Sequence, residues 1–214
     1  RRFVYGKPEG IMQLYYSHNL NPRVAVAVAR YLNSPVDYIW SEPRNPAKED
    51  AFRPINPNTL VPVLVENGKS LWETDAIACR LSQISGTGFF ADGDLLPETL
   101  RWISWATHHL TRAGDAFYFE NLIVPRYMGR QPDAALLESS AENFHRFAPI
   151  LDDFLSGKTW LIDNRLTYAD FRVATCLPFA EDANVPVSGY ANIRKWHDRL
   201  NELDAWREPF AGLA

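Results

Sequence analysis

Asn56-Pro57-Asn58-Thr59-Leu60-Val61-Pro62-Val63-Leu64-Val65, followed by Leu71-Trp72-Glu73-Thr74-Asp75-Ala76-Ile77, is the stretch that decides the fold. A proline inside an apolar strand is unusual, because it has no N–H to give to a sheet ladder. Glu66 to Ser70 reads as a short polar turn with Asn67-Gly68 at its tip, and Glu73-Thr74 then opens a helix with an acid and a hydroxyl. A helix start aims its unsatisfied N–H groups, and the positive end of its dipole, at whatever lies in front of it. The combination suits the backbone and carboxylate ends of a small peptide.

Upstream, Gln13 to Tyr16 and Val36 to Trp40 read as strands, and Pro22 to Leu32 as a helix with Val24, Val28 and Tyr31/Leu32 on one face. Ser41 to Arg53 is a charged, proline-containing loop with a short helix. Val61 to Val65 and Ser70 to Trp72 complete four strands, and Glu73 to Ile84 is a helix with Ile77, Leu81 and Ile84 inward. The order β-α-β-α-β-β-α is that of a thioredoxin-like domain. After Thr87 to Leu96, a linker without a period, the strand signal disappears. Helices are expected over Pro97 to about Val124, Ala134 to Leu155 and Asn192 to Leu203. The expected domains are therefore 12–86, α/β and thioredoxin-like, and 97–214, all-α, joined by 87–96.

With 214 residues, 46% of them hydrophobic, the chain can bury a substantial core. A net charge of −4 gives no electrostatic reason to expect nucleic acid or an anionic membrane as partner. No apolar run approaches a bilayer span. Cys79 and Cys176 lack CxxC spacing, and the five histidines form no ligand pattern, so neither a disulfide nor a metal is expected. These features predict a reduced, cytoplasmic protein. Residues 1–11 are set aside as a native extension or vector sequence, with Met12 as the original start.

Leu166-Thr167-Tyr168-Ala169-Asp170-Phe171 specifies another helix start, a capping box in which Thr167 and Asp170 serve each other's N–H, with Leu166 and Phe171 as a hydrophobic staple. Asp170 is accordingly structural, not catalytic. This stretch, the Val-Pro…Glu-Thr motif and the Ile193…Trp196 ending together resemble the cytosolic glutathione S-transferase family, of bacterial type, over about Met12 to Phe210. The resemblance implies a thioredoxin-like domain followed by a helical one, usually in a homodimer. It also implies a cis Val61–Pro62 bond, glutathione as cosubstrate and no metal. The expected activity, in the manner of a detoxification enzyme, is transfer of glutathione as thiolate to a hydrophobic electrophile. The second-substrate wall would come from the helix beginning at Pro97 and its C-terminal end.

A thiol of pKa about 8.5 must be lowered by about two units to be mostly ionised at neutral pH, which is about 2.7 kcal/mol. A helix N-terminus supplies up to ~2 kcal/mol and one hydrogen bond to the anion roughly 1.5–3, so a donor suffices and no strong base is needed. In the family the donor is Ser, Cys or Tyr between the first strand and helix. Here Asn21 stands at the usual Ser/Cys position in Asn21-Pro22-Arg23-Val24, although Asn-Pro also reads as an N-cap and N1 pair. Tyr15, where tyrosine-type members hold their donor, and Ser17 are the other candidates. For binding, Glu73 and Thr74 match the pair that holds the γ-glutamyl end, Val61 offers its backbone to the cysteinyl part, and Pro62 holds that backbone open. Leu60 replaces a common lysine, leaving Lys48, Arg44 or Arg53 for the glycyl carboxylate. Asn21 and Leu60 keep a second reading open, a non-catalytic glutathione-binding protein. A glutathione-dependent isomerase or dehalogenase is a third. His108 and His109 are expected on different helix faces, and both cysteines on buried apolar stripes.

Overall fold

The computed structural model describes residues 10–214. Most of the segment set aside as an extension therefore lies outside the described residues. Contacts group the chain up to Phe90, together with Glu208–Ala214, into one unit and Ala91–Arg207 into a second.

The first unit is a four-stranded mixed sheet in the order β2-β1-β3-β4. Strand β1 (Met12–Tyr16) buries Met12, Leu14 and Tyr16 and leaves Gln13 and Tyr15 half-buried, the two-residue alternation of a pleated strand. It pairs in parallel with β2 (Val36–Trp40) and antiparallel with β3 (Val63–Glu66), which pairs antiparallel with β4 (Lys69–Trp72). Strand β3 begins at Val63 and not at Val61 as expected, since Pro62 has no N–H for the ladder. The β3–β4 turn is the expected Asn67-Gly68 pair, both at positive φ (51° and 73°), which matches the twist of a two-residue hairpin.

Helix α1 (Leu20–Tyr31) starts two residues before the predicted Pro22, with Asn19 as its N-cap. Pro22 falls in the first turn, where its missing N–H would have had no helical partner in any case. From Val24 to Ala29 the helix is fully buried. A short α2 (Glu49–Phe52) precedes β3, and α3 (Thr74–Ser85) follows β4 with Glu73 as N-cap and Gly86 as a left-handed C-cap. Ile77, Ala78 and Leu81 of α3 are buried, whereas Ile84 is only half-buried. A buried bidentate pair, Arg80 Nε and Nη2 to Glu66 at 2.8 and 2.5 Å, ties α3 to β3 and lowers the Glu66 pKa. Glu208–Ala214, predicted with the helical half, packs with this unit: the Tyr16 hydroxyl donates to the Ala214 carbonyl and Arg30 to that of Ala211.

The second unit is helical. The single helix expected over 97–124 is divided into α4 (Leu96–His108), α5 (Leu110–Tyr118) and wider π-helical turns over Phe119–Met128. His109, at φ −125° and ψ −85°, is the break. The break follows a turn in which the Thr107 hydroxyl bonds the Ile103 carbonyl and the His108 ring the Ser104 carbonyl, so side chains compete with backbone N–H groups for the helix's acceptors. Helix α6 (Ala134–Leu155) matches its predicted span. Then come α7 (Tyr168–Val173), α8 (Ala191–Asn201), two residues shorter than expected at its C-terminus, and α9 (Asp204–Arg207). The capping box of Thr167 and Asp170 is present at the start of α7. Cys176 is buried, but in the turn after α7 and not on a helix stripe, and Cys79 is only half-buried. A Cβ on Gly114 of α5 would lie 2.3 Å from Cys176 Sγ, so this glycine lets α5 approach the turn.

Candidate functional site

The sheet's register brings the sequence-predicted residues together. Tyr16 lies beside Trp40, Tyr15 beside Val63, and Val63 beside Trp72. The ends of β1, β2 and β4 and the start of β3 are therefore at one end of the sheet. Ser17, Val61-Pro62 and Glu73-Thr74 all leave the sheet there. The N-terminus of α1 joins them through a direct contact: the buried Thr74 hydroxyl donates to the Asn21 carbonyl at 3.3 Å.

Each component has a local cause. The Val61–Pro62 bond is cis. Val61, half-buried and outside the ladder, makes no main-chain hydrogen bond to another described residue. A main-chain N–H and C=O left outside the ladder, two residues before a strand begins, can pair with a peptide laid along that edge. Asn56 fixes the approach to it, donating through Nδ2 to the Leu60 carbonyl (2.9 Å) and accepting from the Asn58 N–H (3.0 Å). Glu73 is held at φ 74°, a conformation that costs a non-glycine residue about 1–3 kcal/mol and that clusters at ligand sites. Its carboxylate is exposed and does not bond the α3 N–H groups.

The three thiolate-donor candidates separate. Asn21 is exposed in the first turn of α1; it is not the N-cap, a role that falls to Asn19. Ser17 is half-buried, its carbonyl accepting from the Asn19 N–H in the turn before α1. Tyr15 packs edge-on to Phe52 of α2 at 5.9 Å, and its hydroxyl reaches Gln13 at 3.4 Å, back along its own strand. Two residues carried no role in the sequence reading: His18, whose ring lies 4.4 Å from Phe210 and 4.8 Å from Trp40, and Asn56. The Asn56-Pro57-Asn58 spacing was the available signal for the latter, since asparagine side chains bond backbone two residues on.

Of the three cations considered for a carboxylate, Lys48 lines a cavity of about 220 Å³ with Trp40, Ser41 and Phe52, and is paired with Glu42 at 2.9 Å. Arg53 is engaged by Glu49, and Arg44 is exposed. Leu60 is 42% exposed and offers no charge. Among the described residues no group of three or more His, Cys, Asp or Glu could hold a metal ion, and no helix is long and apolar enough to cross a membrane.

Comparison with known proteins agrees with both halves. The glutathione S-transferase N-terminal domain family matches residues 22–84, and the glutathione S-transferase C-terminal domain family matches residues 116–204. Glutathione S-transferase 3 of Zea mays is 26% identical over 217 residues, covering 92% of this chain and 93% of that protein. Among solved structures, glutathione transferase F7 from Populus trichocarpa superposes with a TM-score of 0.85 at 16% identity, covering 95% and 99% of the two chains. Glutathione S-transferase I from maize, solved with an atrazine–glutathione conjugate, gives 0.84 at 19% identity, covering 94% and 96%. With both domain families matched in chain order and the same fold throughout, the chain belongs to the glutathione S-transferase family.

Proposed function

We propose that this protein binds glutathione at the sheet end where Val61, Glu73, Thr74 and the start of α1 converge, and joins it through its thiolate sulfur to the electrophilic carbon of a hydrophobic substrate, whose leaving group departs. The observation that carries the proposal is the unused main chain of Val61 beside the α3 N-terminus. The cysteinyl backbone would pair with Val61, held open by Pro62, and the γ-glutamyl carboxylate would meet Thr74 and the first N–H groups of α3. The γ-glutamyl ammonium would face the Glu73 carboxylate. Lys48, on the wall of the neighbouring cavity, would take the glycyl carboxylate that Leu60 cannot. The thiol would lie at the α1 N-terminus, where helix dipole and a side-chain donor favour the anion.

We assign that donor to Asn21, with Ser17 in the preceding turn as the alternative; the Tyr15 hydroxyl is directed back along β1. Titrating the bound thiol by ultraviolet absorbance tests the assignment. Asn21→Ala should raise its pKa by about one to two units, the loss of one hydrogen bond to a charged group. A larger rise in Tyr15→Phe, with Asn21→Ala silent, would place the donor on β1. Turnover of a chloroaromatic electrophile with glutathione tests the transfer itself. Tight glutathione binding without turnover would favour the non-catalytic binding protein, a reading that the carboxamide at position 21 and the exposed Leu60 support.

The working form is expected to be a cytoplasmic homodimer. An apolar groove of about 260 Å³ on the helical unit, lined by Trp102, Trp105, Ile150 and Phe154, supports self-association, as does the 51% exposure of Ile150. Sedimentation equilibrium should return a dimer of the 24.4 kDa chain, and Ile150→Glu a monomer. A monomeric wild-type protein would contradict it.

A further inference from the structure

Ser17-His18-Asn19 carries β1 into α1 as a tight turn, the Asn19 N–H donating to the Ser17 carbonyl at 2.9 Å. Its middle residue, His18, sets its ring between two aromatic side chains. Trp40, at the end of β2, lies edge-on at 4.8 Å, and Phe210 lies at 4.4 Å. Phe210 comes from residues 208–214, which follow α9 and group with the sheet. It also stacks on Tyr16, the last residue of β1, at 5.8 Å and 20°. Two hydrogen bonds pin the segment there: the Tyr16 hydroxyl to the Ala214 carbonyl at 3.0 Å, and Arg30 to the Ala211 carbonyl at 2.6 Å. We propose that Phe210 is a positioning residue for the thiolate site. By gripping His18 it fixes the turn before α1, and with it the Asn21 side chain and the N–H groups of that helix's first turn. The inference rests on the glutathione reading above, and Phe210 acts through His18, not on the substrate.

Two observations separate this from ordinary core packing. The first is burial. His18 is exposed and Phe210 half-buried, and Glu208, Ala211, Gly212 and Ala214 around it are exposed. A segment that served to fill a core would bury more of itself; this one delivers a ring to a surface turn. The second is place. The turn it meets ends three residues before Asn21, in the stretch that presents the donor candidates Ser17 and Asn21. Trp40, the other wall of the slot, also lines the cavity that holds Lys48. The grip therefore meets the proposed site at the start of α1 and at the wall assigned to the glycyl carboxylate. A hydrogen bond or helix dipole lowers a thiol's pKa only while the donor is aimed at the sulfur, so a displacement of about 1 Å in the turn is felt there. Aromatic contacts at these separations supply a stiff, directional hold.

The test is titration of the bound thiol by ultraviolet absorbance, with glutathione affinity by calorimetry and turnover of a chloroaromatic electrophile measured at a pH below the bound thiol's pKa. There turnover follows the small thiolate fraction, whereas affinity reports the protonated tripeptide. Phe210→Ala should raise the bound thiol's pKa by about one unit and cut turnover about tenfold, with the glutathione Kd within about twofold of wild type. His18→Ala, a change at an exposed position, should reproduce these shifts, and the double variant should add little to either. Phe210→Tyr, which keeps the ring, should restore the wild-type pKa. A folded Phe210→Ala protein with a lower melting temperature but an unmoved thiol pKa would overturn the proposal, as would fully additive effects of the two substitutions. Absence of glutathione binding by the wild-type protein is a different result: it would remove the glutathione reading, and the inference with it.

Discussion

Asp170→Ala is expected to lower the unfolding free energy by about 4 kcal/mol, seen as a fall in melting temperature of about 10 °C. The carboxylate, fully buried at the start of α7, accepts the Leu161 N–H (3.0 Å) and Trp196 Nε1–H (2.9 Å) on one oxygen and the Thr167 N–H (3.0 Å) on the other. It therefore ties α7, the segment before it and α8 together. Truncation leaves three buried donors without an acceptor, each a penalty of about 1–3 kcal/mol. A melting temperature close to that of the wild type would show that water or a rearranged side chain replaces the carboxylate. A pH signature accompanies the effect. Burial pushes the Asp170 carboxyl up to about 6, against the pull of its N–H donors. An unfolded aspartate titrates near ~3.9, so between these values the folded chain binds more protons, and this residue's contribution is full below about pH 4 and declines as pH rises through about 6. The stability gap between wild type and the non-titrating Asp170→Asn should narrow by about 3 kcal/mol from low to neutral pH, measured by urea unfolding.

The second large effect concerns the ligand. Thr74→Val should weaken glutathione binding about 10- to 100-fold, the loss of a hydrogen bond to a charged group. It also leaves the Asn21 carbonyl without its 3.3 Å donor and so loosens the joint between α3 and α1. Glu73→Gln gives the cleaner comparison. The carboxylate makes no bond to a described residue, so neutralising it should leave stability unchanged. Affinity should still fall about tenfold through the lost partner of the ligand's ammonium. Calorimetric titration of both variants checks the pair, and unchanged affinity in Glu73→Gln would remove that residue from the site.

What was legible in the sequence was local. Asn67-Gly68 between apolar runs marks a hairpin whatever surrounds it, and Thr167-x-x-Asp170 marks a helix start. Val61-Pro62 and Glu73-Thr74 stood out in the sequence for the same reason, since each is a pair of neighbours. Long-range packing was not legible. The start of α1 at Leu20 was hidden because Pro22 is as well suited to the first turn as to the first position. The break at His109 contains no glycine or proline and follows two side chains that bond carbonyls four residues back. The tail at 208–214 is ordinary in sequence, and the bonds from Tyr16 and Arg30, with the Phe210 ring against Tyr16 and His18, show that it belongs with the sheet. Nothing in periodicity links Thr74 to Asn21, 53 residues away, although that contact joins the two helix starts.

Titration calorimetry of reduced glutathione into the wild-type protein, followed by a crystal structure of the complex, bears most directly on the whole account. One tripeptide per chain is expected, its cysteinyl amide paired with the Val61 main chain and its sulfur at the first turn of α1. No saturable heat at millimolar glutathione, or a tripeptide seated elsewhere with the Val61 backbone still unpaired, would contradict it.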